Sequence, residues 1–183
     1  LLVVISVTTY TEKTVGDLSH GLELTGAIKS DILELRRNEK DFLARKDDKY
    51  VDKYTNRFQR LSSDIATLKT LFTSYNLETT DINGLSQATD EYRQHFMMLV
   101  NQQKQIGYHP KDGFYGELRD AAHQIESQVK SGDPSLLIVL LQLRRDEKDF
   151  MLRLDPKYID KFNTHYYELK QLMTELRYGD VEV

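Results

Sequence analysis

Cysteine and tryptophan are absent from the 183 residues, proline occurs three times and glycine nine times. Without cysteine there is no disulfide, no Cys-ligated zinc and no thiol catalysis. The lack suits an oxidising compartment, though it is also common in the cytosol. So few prolines and glycines leave few obligatory turns, which argues against an all-β sandwich and for long helices. A basic excess is missing too: 25 Lys+Arg stand against 29 Asp+Glu, a net charge of −4, which speaks against a nucleic-acid partner. Neither a Gly-rich phosphate loop nor a nucleophile elbow occurs. The five histidines, His20, His95, His109, His123 and His165, form no HExxH and no paired Glu-x-x-His. Asp17/His20 and Asp120/His123 do share helical faces, but surface or interface histidines account for them. No metal, no cofactor and no enzymatic activity is expected. What is present is 39% hydrophobic and 30% charged residues, the balance of a folded soluble chain.

Long apolar runs are also lacking. The one candidate, LLVVISV at residues 1–7, is far short of the roughly 20 residues a bilayer core needs. It reads as the end of a transmembrane helix that begins upstream, with Tyr10 and Lys13 as interfacial anchors. An apolar strand or ordinary helix start is the alternative. Residues 8–183 then form the folded domain.

Apolar residues recur every three or four positions almost throughout, the helical period. The spacing predicts six helices, over about 9–45, 50–75, 85–106, 114–130, 134–154 and 156–177. The first carries Leu18, Leu22, Ile28, Ile32, Leu35 and Phe42; the second, the most regular, carries Tyr50, Tyr54, Phe58, Leu61, Ile65, Leu68, Phe72 and Tyr75. Thr79, Thr80, Asp81 and Asn83 are the candidate caps of the third. Asp133 and Pro134 read as N-cap and first position of the fifth. Stripes of this kind bury best against one another, so the fold is all-α: an antiparallel long-helix bundle. The length of the first helix fits two stacked four-helix modules better than a single one.

The most specific feature is a duplication. Residues 33–58 (LELRRNEKDFLARKDDKYVDKYTNRF) and 141–166 (LQLRRDEKDFMLRLDPKYIDKFNTHY) match at 14 of 26 positions with a constant offset of 108. Each copy reads as the tip of an αα-hairpin, turning near Lys46-Asp47 and Leu154-Asp155. Glu39 and Glu147 fall on the apolar stripes (Leu35, Glu39, Phe42 and Leu143, Glu147, Phe150), where a carboxylate needs a partner. Two readings of the repeated Arg-Arg pair stand side by side. It is a charged staple that fixes hairpin register, or it reaches a space between helices and binds an anion in a bidentate fork. Tyr50, Tyr54 and Tyr158 are packing residues and candidate hydroxyl donors. Arg119 and His123, one turn apart, read either as lining a cavity or as part of a solvated helix face.

The RRxEKDF motif at a hairpin tip, its recurrence about a hundred residues later, the intervening GYHPKDGFYGELRDAAHQIE and the apolar N-terminal run together resemble the helical bimodular (HBM) sensor domain of bacterial methyl-accepting chemotaxis receptors. The resemblance extends over nearly the whole chain. It implies a periplasmic domain of two stacked four-helix bundles, held at the bacterial inner membrane by flanking transmembrane helices. It also implies a homodimer and a small carboxylate ligand bound in either bundle. By the same resemblance Arg36, Arg37, Arg144 and Arg145 are the ligand-binding residues, and signalling proceeds by helix displacement or dimer rearrangement. The same module on a histidine kinase that senses a partner protein, and a structural bundle with no small ligand, are the alternatives. Because the second copy stops soon after Arg177, the last helices of the second bundle are expected to lie beyond Val183. The stripe Leu169, Leu172, Leu176 is then expected to lack an intrachain partner.

Overall fold

The computed structural model describes residues 2–129 and 134–176. They form six helices: α1 (Leu2–Arg45), α2 (Asp48–Ser74), α3 (Thr80–Ile106), α4 (Gly113–Val129), α5 (Pro134–Arg153) and α6 (Lys157–Glu175). No strand occurs among the described residues. The chain is an all-α helical bundle, and it divides into two compact units, 1–108 and 109–183. Each unit assembles three of the six helices.

In the first unit α1 and α2 form an antiparallel hairpin. Pairs that retreat from the tip trace its register: Arg45 with Tyr50, Asp31 with Arg57, and Asp17 with Tyr75. Leu24, Ile28, Leu35, Phe42, Tyr54, Leu61, Ile65 and Leu68 make the core between the two helices. α3 closes one side, running parallel to α1, and inserts Phe96 edge-on to Phe42, with ring centroids 5.7 Å apart. Gly107 ends α3 at φ 110°, a backbone conformation that side chains rarely adopt. It lets Tyr108 turn back onto Phe42, 5.8 Å away.

The second unit repeats the hairpin with α5 and α6, around Leu136, Val139, Leu143 and Leu169. α4 lies against α5, bringing Ile125 to this core.

Residues 2–7 are the opening turns of a continuous α1, and among the described residues no helix is long and apolar enough to cross a membrane. Several expectations need correction. Leu18 and Leu22 are exposed, and Leu24 is buried in their place. The reason is the period. The core positions of α1 run Leu24, Ile28, Asp31, Leu35, Asn38, Phe42, alternating steps of four and three, so the buried polar residues are Asp31 and Asn38. Glu39 is only half-buried. α5 does the same with Leu136, Val139, Leu143 and Asp146, which leaves Glu147 half-buried beside the seam. α3 starts at Thr80, inside the predicted break, and Thr79 stands at its N-cap without a side-chain bond. Leu169 and Leu172 do find partners in their own chain, against α4 and α5, because three helices suffice to cover them; Leu176 is exposed. Asp133 falls outside the described residues.

Candidate functional site

The repeated motif builds the same hairpin tip twice. The residue after each first helix is left-handed, Lys46 at φ 49° and Leu154 at φ 51°. The next residue caps the returning helix: Asp47 accepts from the Lys49 amide at 2.9 Å, and Asp155 from the Lys157 amide at 3.0 Å. The same carboxylates hold the lysine ammonium groups, each at 2.8 Å. This keeps both Asp carboxyls below, and both ammonium groups above, their ordinary ranges. Behind them stands a tyrosine ring flanked by three cations. Arg45, Lys49 and Lys53 lie 5.5, 5.0 and 5.6 Å from the Tyr50 ring, and Arg153, Lys157 and Lys161 lie 5.7, 5.0 and 5.4 Å from Tyr158. Five of the fourteen matched positions, 45, 47, 49, 50 and 53 with their counterparts, are thus occupied at the turn.

The arginine pairs, by contrast, are used differently in the two copies. Arg37 points along its own helix to Glu34, 3.1 Å away, and is exposed. Arg36 is exposed and makes no ion pair among the described residues. In the second unit Arg144 is bonded to Glu126 of α4, and Arg145 reaches Asp146 at only 3.9 Å while mostly exposed. The arginines of the two copies are therefore not used equivalently, and Arg36 is the member without an ion pair among the described residues.

Arg36 borders a polar layer in the core of the first unit. Here α1 supplies Glu39, α2 Tyr54 and α3 Tyr92. The Tyr92 hydroxyl donates to Glu39 Oε2, so the carboxylate is satisfied by an aromatic hydroxyl rather than by Arg or Lys. Tyr54 packs on Tyr92 and Phe96, with centroids at 6.0 and 4.2 Å. It is fully buried, and its hydroxyl has no hydrogen-bond partner. Burial, reinforced by the charge of Glu39, pushes both phenols above their ordinary range. The positive charges of Arg36 and Arg93 act on Tyr92 and Tyr54 respectively in the opposite sense. Arg93 itself lies over the Phe58 ring, 5.1 Å from its centre. A buried hydroxyl without a partner and a half-buried carboxylate thus stand together where three helices join, with Arg36 and Arg93 exposed nearby. That set can hold a small anion carrying further hydrogen-bonding groups.

Two other buried charges are already paired. Asp31 accepts from Arg57 at 2.8 Å, with Arg60 at 3.6 Å. Asp146 lies 2.6 Å from His165 Nδ1. His123 and Arg119 are exposed, and His123 faces Glu126 at 3.2 Å, so this helix face carries a surface ion cluster. Among the described residues no group of three or more His, Asp or Glu side chains could hold a metal.

Sequence reasoning named Glu39, Arg36 and Tyr54 but missed Tyr92, Arg93 and the buried acids. Asp31 and Asp146 were detectable from the alternating four-three spacing of the core positions. Tyr92 and Arg93 were not, since nothing local shows which face of α3 meets Glu39. No family model, no curated protein and no solved structure matches the chain.

Proposed function

We propose that this protein is a sensory domain that binds a small organic acid between α1, α2 and α3 of its first unit. The observation that carries the reading is the Tyr54 hydroxyl, fully buried and without a partner beside the Glu39–Tyr92 pair. A lone buried hydroxyl costs on the order of 1–3 kcal/mol, and native interiors rarely leave one unmade without a use for it. In this reading the ligand carboxylate is held by Arg36 and Arg93, and Tyr54 donates to the ligand. Two charge-assisted bonds at about 1.5–3 kcal/mol each, with apolar enclosure, suffice for a micromolar site near −8 kcal/mol.

Such a ligand ties three helices together. It can signal only by binding two arrangements of them unequally, and a site at a three-helix junction allows that. The duplicated hairpins and the resemblance to helical bimodular sensor domains fit a periplasmic, dimeric, membrane-anchored receptor for chemotaxis or a histidine kinase. The competing reading is a structural bundle with no ligand. It draws on the hairpin tips, whose repeated charges are engaged within the turn.

A thermal-shift and calorimetric screen of mono-, di- and tricarboxylic acids and amino acids separates the two. A ligand at 100 times its dissociation constant stabilises by about 2.7 kcal/mol, several degrees of melting temperature. The expected outcome is a hit that Arg36→Ala and Tyr54→Phe both abolish. Tyr54→Phe should leave the free protein as stable or up to about 1 kcal/mol more stable, since it removes an unpaired buried hydroxyl. No shift with any acid would leave the structural bundle standing.

A further inference from the structure

The inner side of α5 is Leu136, Val139 and Leu143, packed with Leu169 of α6 and Ile125 of α4. Its opposite side carries a second series with the same alternating steps of three and four: Ile138, Leu141, Arg145, Lys148 and Leu152. All five are exposed, Ile138 by 59%, Leu141 by 53% and Leu152 by 82%. Residues 136–141 read Leu-Leu-Ile-Val-Leu-Leu, so the first half of this helix is apolar all round. A helix of that kind is buried from every side, yet among the described residues only its inner side is covered.

The centre of the outer series is cationic. Arg145 reaches Asp146 at only 3.9 Å and lies mostly in solvent, and Lys148 makes no ion pair among the described residues. The neighbouring charges are engaged elsewhere: Asp149 with Arg153 at 3.5 Å, and Arg144 with Glu126, while Glu147 is half-buried on the inner side. The duplication repeats this ridge outside the hairpin tip. Leu33, Arg37 and Lys40 of α1 occupy the positions of Leu141, Arg145 and Lys148 and are likewise exposed. The apolar ends are not repeated, since serine and alanine stand at positions 30 and 44 where α5 has Ile138 and Leu152.

We propose that the outer ridge of α5 is the docking surface for an acidic amphipathic helix of a partner protein. Its apolar side chains lie against Ile138, Leu141 and Leu152, and its carboxylates face Arg145 and Lys148. The ridge is roughly 21 Å long at 1.5 Å per residue, and its anchors have the spacing by which one helix reads another. The charge pattern selects the occupant. A second copy of α5 is disfavoured in both directions: paired parallel, each cation meets its own counterpart, and paired antiparallel about the middle of the ridge, Arg145 meets Arg145. Two cations on a chain of net charge −4 do not make a surface for a nucleic-acid backbone. This docking surface is independent of the ligand reading of the first unit.

The probe is a synthetic amphipathic helix of three heptads, with leucine at the outer seam positions and glutamate at the central ones. It is titrated against the whole 183-residue chain by fluorescence anisotropy. Saturable binding is expected, weakened about tenfold by Arg145→Glu with Lys148→Glu and by about as much in Leu141→Ser with Leu152→Ser. A second peptide with lysine in place of the glutamates should bind the unmodified chain at least about tenfold more weakly and recover affinity for the Arg145→Glu, Lys148→Glu variant. Leu33→Ser with Lys40→Glu, the matching change on the ridge that lacks apolar ends, should leave binding unaltered. Failure of the glutamate peptide to saturate, equal affinity of the two peptides for the unmodified chain, or a loss in the α1 variant equal to that in the α5 variants would each overturn the proposal. So would binding to phosphatidylglycerol vesicles that the α5 substitutions abolish, if the peptide does not bind, since the ridge would then face a membrane.

Discussion

Individual side chains show how the buried charges are compensated. Asp31 is 2% exposed, and Arg57 is its hydrogen-bonded partner. Removing one member of a buried pair strands the other, at a cost of roughly 3–5 kcal/mol. Arg60 stands 3.6 Å from the same carboxylate and can take over part of the compensation. Arg57→Ala should therefore destabilise the first unit by about 3 kcal/mol in urea denaturation, and Arg60→Ala by under 1 kcal/mol, as for an exposed ion pair. Similar losses in the two variants would show that Arg57 is not the essential partner. Arg36 differs from its neighbours in having no such commitment, and this is what makes it the arginine to test for ligand binding.

At the level of the element, the hairpin tip is the unit that the duplication preserves. A helix must stop, turn through a left-handed residue and restart on a capping aspartate, and both copies do so with the same aspartate, though the left-handed residue is Lys46 in one and Leu154 in the other. Neither left-handed residue is glycine, which normally fills that role. Leu154 gains nothing for its strain, since its side chain lies largely in solvent. Leu154→Gly should stabilise the second hairpin by up to about 1 kcal/mol. Lys46→Gly should gain less, because it gives up the 2.6 Å bond from Lys46 Nζ to Gln103 on α3. Paired urea melts check the order, and an equal gain at both sites would refute the role given to Gln103. The helices themselves were legible from spacing to within a few residues, because the period of apolar residues is local information. The start of α3 was misplaced, because Gly84 and the polar residues before it read as a break, although a helix tolerates them.

On the scale of the whole chain the two units share a hairpin but differ in what they bury, and acid should act on them differently. Glu126 is held below its ordinary value of 4.5, first by the hydrogen bond from Arg144 and then by the one from His123. Its contribution is present above pH 4.5 and is lost as pH falls through the depressed folded value. Burial pushes Glu147 the other way, so its ionisation opposes folding, and the stability it allows when neutral is lost as pH rises from 4.5 through the raised value. Circular-dichroism melts should show Arg144→Ala lowering, and Glu147→Gln raising, the stability of the second unit at pH 7, with both effects disappearing near pH 3. Persistence of either effect in acid would place its origin in packing rather than charge. The sequence by itself determined the helices, the all-α class, the duplicated tips and the presence of carboxylates near the apolar seam, because each is written in spacing and in residue type. Only the tertiary structure decided which polar residues are buried, that Arg144 serves Glu126 while Arg36 makes no ion pair among the described residues, and that Tyr92 meets Glu39 beside an unpartnered Tyr54. Those facts depend on which faces of α1, α2 and α3 meet, and of α4 and α5, and helix packing sets that between segments far apart in the chain.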